Sequence, residues 1–117
     1  MRYLCLVYCD DSTFAPLTSE EKRTLDRDSL AYDRELERSG HFVAADALQP
    51  VTEAATVRVR DGTVSVTDGP FAETKEQLGG FILIEARDMN EAIRVAAGIP
   101  VAKFGSVEVR PILKFEV

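Results

Sequence analysis

Residues 67–80 read TDGPFAETKEQLGG and connect two runs that alternate apolar and polar residues like β-strands. Pro70 fixes its own φ and disfavours helical backbone at Gly69, where glycine also reaches φ values closed to other residues. The Asp68 carboxylate is expected to accept backbone N–H groups of the turn, as in an Asx-turn. The stretch therefore predicts a rigid turn between strands, with Phe71 packed into the core and a charged tip.

Strand and helix patterns alternate on both sides of this turn. Thr18 or Ser19 is placed to cap one helix, which Gly40 ends, and Asp88 or Asn90 is placed to begin a second, which Gly98 ends. Asp61-Gly62, between alternating runs, predicts a β-hairpin. The predicted strands are residues 2–9, 41–48, 55–60, 63–67, 80–86 and 106–115.

This order predicts an α+β fold: a ferredoxin-like antiparallel sheet with both helices on one face and an inserted hairpin. The first strand and residues 81–84 are apolar on both faces, which is typical of central strands. Two helices cover only one face of such a sheet. The apolar second face therefore predicts a homodimer in which two copies pack sheet against sheet.

Composition limits the function classes. With 117 residues and a net charge of −6, the chain is predicted to be one domain, residues 1–117, that binds neither nucleic acid nor an anionic membrane surface. Its apolar runs are shorter than the roughly 20 residues of a membrane span, and the N-terminal run is short for a signal peptide. We therefore expect a cytoplasmic protein. Cys5 and Cys9 would lie ~13 Å apart on a strand, too far to bridge, so free thiols are predicted.

Three stretches together resemble a known family. DGPFAETKEQLGGF (residues 68–81), YLCLVY (residues 3–8) and GSVEVRP (residues 105–111) resemble the DGPF group of the YCII-related domain family. The resemblance implies a ferredoxin-like protomer that pairs as a dimeric α/β barrel. The wider family includes a dehydrochlorinase of chlorinated aromatics, and some relatives are encoded beside, or fused to, extracytoplasmic-function sigma factors.

Residues of the signature stretch are the main candidates for chemistry. Asp68 or Glu73 is a candidate general base, and Lys75 could polarise an anionic or carbonyl oxygen. The structural alternative is that Asp68 caps a turn while Glu73, Lys75 and Glu76 form exposed pairs worth little. The predicted ligand-binding residues are Tyr8, Phe71, Lys75 and Glu76.

His41 completes the predicted catalytic set, with Asp68 and Glu73, because it is the only histidine and histidine carries protons near neutral pH. A polar residue at a strand entrance is the alternative interpretation. Relatives with a His–Asp pair are expected to carry the histidine in the first helix, where this chain has Tyr32 and Asp33. That departure weakens the inheritance of acid–base chemistry.

Cofactor motifs are absent from the sequence: it has no P-loop and no GxGxxG, and one histidine with two distant cysteines does not make a zinc site. We therefore predict no metal and no cofactor. Two function classes remain: a small-molecule enzyme or ligand binder with a pocket between the sheet and the DGPF loop, or a regulatory module associated with a sigma factor. A pocket lined by Asp68, Glu73 and Tyr8 would favour the first class, and an exposed loop over a filled interior the second.

Overall fold

The structure, a computed structural model, describes residues 1–116; Val117, the last residue of the predicted domain, lies outside them. Its strands are β1 (Arg2–Cys9), β2 (Phe42–Ala47), β3 (Ala55–Arg60), β4 (Thr63–Asp68), β5 (Gln77–Glu85) and β6 (Ser106–Pro111). Its α-helices are α1 (Asp11–Phe14), α2 (Ser19–Arg38) and α3 (Met89–Ala97), with short 3-10 helices at Val51–Glu53 and Pro100–Lys103.

The strands form two antiparallel sheets. The four-stranded sheet has the order β2-β5-β1-β6, and β3 pairs only with β4. The two strands predicted to be central, β1 and β5, are central. The architecture is thus an α+β fold of antiparallel sheets, consistent with the predicted ferredoxin-like arrangement.

Local hydrogen bonds begin the helices where the sequence indicated. Thr18 Oγ1 accepts from the Glu21 amide at 3.0 Å while the Glu21 carboxylate accepts from the Thr18 amide at 3.0 Å, a capping box that satisfies two donors at the start of α2. Asp88 caps α3 through the Glu91 amide. The short helix α1 follows β1 directly, and the Asp10 carboxylate caps it by accepting from the Ser12 amide.

One face of the sheet packs against both helices. Tyr3, Cys5 and Val7 of β1 and Ile82 and Ile84 of β5 are buried there, with residues of both long helices. The apolar pattern of α3 predicted a buried stripe of Met89, Ala92, Ile93, Ala96 and Ala97; Ile93 and Ala97 are instead exposed, and Val95 is buried. The remaining buried helix residues are Leu36, Ala92 and Ala96.

The opposite face of the sheet carries apolar residues in register. Leu6 pairs with Phe81 and Leu4 with Leu83, and each is only partly buried. The Cα trace is only 18 Å thick, which leaves room for the sheet and one helix layer, since packed layers are ~10 Å apart. Within residues 1–116 this face, here called the open face, has no covering layer.

The β3–β4 hairpin stands apart from the four-stranded sheet. Its cross-strand pairs Val57–Val66 and Val59–Val64 lie on one side, and all four valines are exposed.

The boundaries of two strands differ from the prediction by several residues. β5 begins at Gln77 because a bulge lets Gln77 and Leu78 pair with β1, and β6 ends at Pro111. In the described part of the chain no helix is both long and apolar enough to cross a membrane.

Candidate functional site

A cavity of about 820 Å³ opens between the N-terminal half of α2 and the sheet end formed by Cys9, Ala47 and Gln77. Its size is within the ~300–1,000 Å³ range of small-molecule sites. Its walls are mostly apolar, and the ionisable side chains that line it are Cys9, Asp11, Lys22, Asp26 and Asp33. A mostly apolar cavity with a few polar groups is the usual form of a ligand site.

Asp33 is the ionisable residue of this cavity with the most distinctive environment. It lies on the same face of α2 as Leu25 and Ser29, at intervals of four residues, so its carboxyl group is carried against the cavity wall. Burial raises the pKa of the Asp33 carboxyl, and the nearby charge of Glu37 raises it further, while Arg34 acts weakly in the opposite direction. A carboxyl group that holds its proton to a higher pH is better suited to general acid–base work near neutral pH.

Cys9 brings a thiol to the cavity at the end of β1. Burial raises the pKa of the Cys9 thiol, and the charges of Asp11, Glu76 and Asp10 raise it further. The group is therefore a neutral thiol at pH 7, a weak donor and a poor nucleophile. Cys5 is fully buried, and burial raises its thiol pKa to about 11. Both thiols are free, as predicted.

The Gly-Gly exit of the signature stretch forms part of the cavity floor. A Cβ atom on Gly80 would lie 2.9 Å from the Asp46 carbonyl oxygen, and one on Gly79 would lie 3.3 Å from Cys9 Sγ. The Leu48 amide donates to the Gly79 carbonyl at 2.9 Å. The two glycines therefore allow β2 to pass close to β5 beneath the cavity.

The turn at the start of the signature stretch is held by the backbone rather than by Asp68. Gly69 has φ +100°, its amide donates to the Ala54 carbonyl at 2.7 Å, and its carbonyl accepts from Thr56 Oγ1 at 2.8 Å. Within residues 1–116 the Asp68 carboxylate accepts no hydrogen bond. The predicted Asx-turn was wrong, because Thr56 and the Ala54 carbonyl satisfy the turn instead. The predicted core contact of Phe71 was also wrong, since its side chain is 82% exposed.

The other candidates from the signature stretch lie on the surface or at the open face. Glu73 and Lys75 are exposed. Glu76 is exposed too, and its Oε2 accepts from Ser106 Oγ at 2.9 Å, which connects the loop to the start of β6. Tyr8 pairs with Leu78 and Ser106 on the open face. None of these residues lines the cavity.

His41 lies at the other end of the sheet. Its carbonyl accepts from the Glu85 amide, at the end of β5 that is ~26 Å from Gln77, given ~3.3 Å per strand residue. His41 Nδ1 lies 2.8 Å from Ser39 Oγ and Nε2 lies 3.3 Å from Glu91 Oε1. A hydrogen bond from the Arg87 amide lowers the pKa of the Glu91 carboxyl, and the charges of Arg87 and His41 lower it further. These contacts connect the strand entrance to the start of α3.

The predicted site residues are thus not brought together. His41 and the signature loop are at opposite ends of β5, and only Glu76 is near enough to a cavity residue to influence it. Their catalytic or binding roles stay predictions. The sequence analysis did not select Asp33 as a site residue. It could have done so, because Asp33 follows Leu25 and Ser29 at intervals of four residues and so lies beside the apolar stripe of a helix.

Among residues 1–116, His, Cys, Asp and Glu side chains form no group of three or more that could hold a metal ion. The cavity combines a mostly apolar wall with the Asp33 carboxyl, whose pKa burial raises.

The fold and cavity define a class of small α+β proteins in which a helix-covered antiparallel sheet holds an apolar site. Residues 1–116 match the model of the YCII-related domain, and the chain belongs to that family. It is also 40% identical, over 118 aligned residues, to an uncharacterized protein of Rhizobium meliloti (strain 1021). That alignment covers 99% of this chain and 95% of the relative.

Proposed function

We propose that this YCII-related protein is a single-domain, cytoplasmic small-molecule binding protein or enzyme whose ligand occupies the cavity between α2 and the sheet. The observation that carries this proposal is the mostly apolar cavity of about 820 Å³ with Asp33 on its wall, where burial raises the pKa of the carboxyl. The earlier expectation placed the pocket between the sheet and the DGPF loop. The cavity lies instead on the helix side of the sheet, and of the DGPF stretch only the C-terminal end with Gly79 and Gly80 lines it.

Charge indicates which ligands the cavity prefers. The side chains of Asp11, Asp26 and Asp33 line it together with the cation Lys22, whereas Asp46 pairs with Phe81 and presents its carboxylate on the open face. An anionic aromatic acid would be repelled by this lining, whereas a neutral phenol could donate its hydroxyl proton to a carboxylate. We therefore expect phenols and uncharged aromatic molecules to bind more tightly than aromatic carboxylates of the same size.

A ligand screen with two matched variants tests the proposal. Wild type, Asp33→Asn and Asp28→Asn would be titrated calorimetrically with a panel of phenols, aromatic amines and aromatic acids. Asp28 is exposed on the same helix and does not line the cavity. Asp33→Asn should weaken phenol binding about 10-fold or more, because a charge-assisted hydrogen bond is lost, while Asp28→Asn should not. Equal phenol binding by all three proteins would refute the role of Asp33, and no binding by any would refute the site.

We also propose that the chain forms a homodimer by packing open face against open face, as a dimeric α/β barrel. Support comes from the partly buried row Leu4, Leu6, Phe81 and Leu83, which has no cover within residues 1–116. Burying it in a symmetric interface removes apolar surface from water. Light scattering at micromolar concentration should report twice the 12.9 kDa chain mass. A monodisperse monomer would contradict the assembly.

A second candidate function, a regulatory module that contacts an extracytoplasmic-function sigma factor, is favoured by one observation. Phe71, at the tip of the signature loop, is 82% exposed, and exposed aromatic residues are enriched at protein interfaces. Phe71→Ala should abolish co-purification with such a sigma factor from the same genome while leaving phenol binding unchanged. Co-purification that survives the substitution would remove the argument from Phe71.

A further inference from the structure

The β3–β4 hairpin has an apolar side with no partner in its own chain. Val57, Val59, Val64 and Val66 are adjacent on this side, here called the valine face, and are 56–64% exposed. The reverse side carries Thr, Ser and Arg residues. An isolated two-stranded hairpin is at best marginally stable in water. A ladder of exposed valines on such a hairpin indicates a surface that is covered in the assembled protein.

The hairpin is not folded back over its own subunit. The described residues extend 47 Å in two directions but only 18 Å in the third, and the sheet with its helices already fills that thickness. The radius of gyration of 16.3 Å also exceeds the ~13 Å of a compact chain of this length. The hairpin therefore projects sideways, where a second molecule can reach it.

The open face has the composition that would receive a valine face. One cross-strand row reads Asp46, Phe81, Leu6 and Glu108 from edge to edge, so that apolar residues are in the middle and an acid stands at each end. The hairpin offers four valines on one side, while Arg58 and Arg60 lie on its reverse side. The apolar parts of the two surfaces are complementary.

The area of the open face also favours a second copy of this chain as the partner of the valine face. Four strands at ~4.8 Å spacing and ~20 Å length give the open face about 400 Å² of projected area, and the hairpin adds about 200 Å². A stable interface buries ~800 Å² of accessible surface on each partner. The open face alone supplies a modest contact, and the hairpin extends it by about half.

We infer that the hairpin is a dimerisation arm: its valine face packs on a second copy of this chain, along the edge of the partner's open face. This inference rests on the sheet-to-sheet dimer proposed above. It adds that residues 57–66 supply part of the association energy and set the partner's position.

Two lysine pairs on β4 test the inference, because neighbouring positions lie on opposite sides of the hairpin. Val64→Lys with Val66→Lys places two charges on the valine face, and Ser65→Lys with Thr67→Lys places the same charges on the reverse side. Sedimentation equilibrium would give the dimer Kd of each protein. The first pair should raise Kd at least about 10-fold, since each buried valine contributes roughly that factor, and the second pair less than about threefold.

Hydrogen exchange supplies a measurement that needs no variant. The amides of Thr63–Asp68 should exchange more slowly above the dimer Kd than below it. A monomeric wild type would overturn the dimer itself, and the arm with it. If wild type is a dimer but both lysine pairs change its Kd equally, and if hydrogen exchange in the hairpin does not depend on concentration, the hairpin is not a dimerisation arm. The valine face would then have to contact a different protein.

Discussion

Tyr32 on α2 donates a hydrogen bond from its hydroxyl to the Val95 carbonyl of α3 at 2.6 Å. The bond joins the two helices over the buried face of the sheet. Burial raises the pKa of the Tyr32 hydroxyl, and the charge of Glu35 raises it further, so the group stays a protonated donor at neutral pH. Because Asp33 is the next residue, this bond also helps to set how the cavity face of α2 is oriented.

Tyr32→Phe should therefore lower the free energy of unfolding by about 1 kcal/mol, because the Val95 carbonyl loses its partner. Urea denaturation monitored by circular dichroism would measure the change. Tyr3→Phe is a suitable control, since the Tyr3 hydroxyl only contacts Met1 Sδ, at 3.8 Å. Equal losses in the two variants would mean that the interhelix bond adds nothing beyond the loss of a phenol hydroxyl.

Asp33→Asn should be neutral or stabilising at pH 7. Burial raises the pKa of the Asp33 carboxyl above the ordinary 3.8, so the folded state binds this proton more tightly than the unfolded state. Its charged form is penalised, and wild type loses stability as pH rises from the ordinary value through the raised folded pKa. The stability gap in favour of the Asn variant should accordingly open over that window and stay constant above it.

Melting temperatures of wild type and Asp33→Asn, measured from about pH 2 to about pH 8, would check this. At the acid end the two proteins should melt together, since the carboxyl is protonated in both states. A gap that closes as pH rises, instead of opening, would show that Asp33 is stabilised as an anion and would remove the argument for its role as a proton carrier.

Gly80→Ala should destabilise the fold by about 1–3 kcal/mol, the usual cost of overpacking. The new Cβ would lie 2.9 Å from the Asp46 carbonyl oxygen, a backbone atom that cannot rotate away. Gly79→Ala is the matched control, because its Cβ would meet only the movable Cys9 Sγ at 3.3 Å. Chemical denaturation should give Gly80→Ala a clearly lower free energy of unfolding than Gly79→Ala. The reverse order would contradict the close approach of β2 and β5.

The contrast between what the sequence predicted and what it missed has a physical basis. The start of α2, predicted at Thr18 or Ser19, and the central positions of β1 and β5 depend on residues close in sequence or on apolar patterning, and both were predicted. Phe71 was expected in the core because aromatic residues usually are, yet its position depends on where the loop tip lies in three dimensions. A cavity is set by how far α2 stands from the sheet, which no local pattern encodes.

Cys9 should react slowly with iodoacetamide at pH 7, and Cys5 should react only after unfolding. Burial is the main cause of the raised Cys9 pKa, and Glu76 is one of the acids that raise it further. Glu76→Gln should therefore speed modification roughly twofold, as expected from one partly screened charge. Glu73→Gln, on the same loop, should leave the rate unchanged. Mass spectrometry of timed reactions would measure both rates, and equal acceleration by the two variants would point to loop opening instead of charge.

The turn that begins the signature stretch permits a direct comparison of backbone and side chain. Gly69 has φ +100°, with open space where a Cβ would stand, so Gly69→Ala should cost about 1 kcal/mol or more through backbone strain alone. Asp68→Ala should change stability by less than about 0.5 kcal/mol, because the exposed carboxylate accepts no hydrogen bond within the described residues.

Urea denaturation of the two variants beside wild type decides between the two accounts of the turn. If Asp68→Ala proves the more damaging, the carboxylate holds the turn after all, and the Asx-turn predicted from the sequence would be restored. If Gly69→Ala is the more damaging, the glycine is required for its backbone, and any effect of Asp68 variants on ligand binding would report function instead of folding.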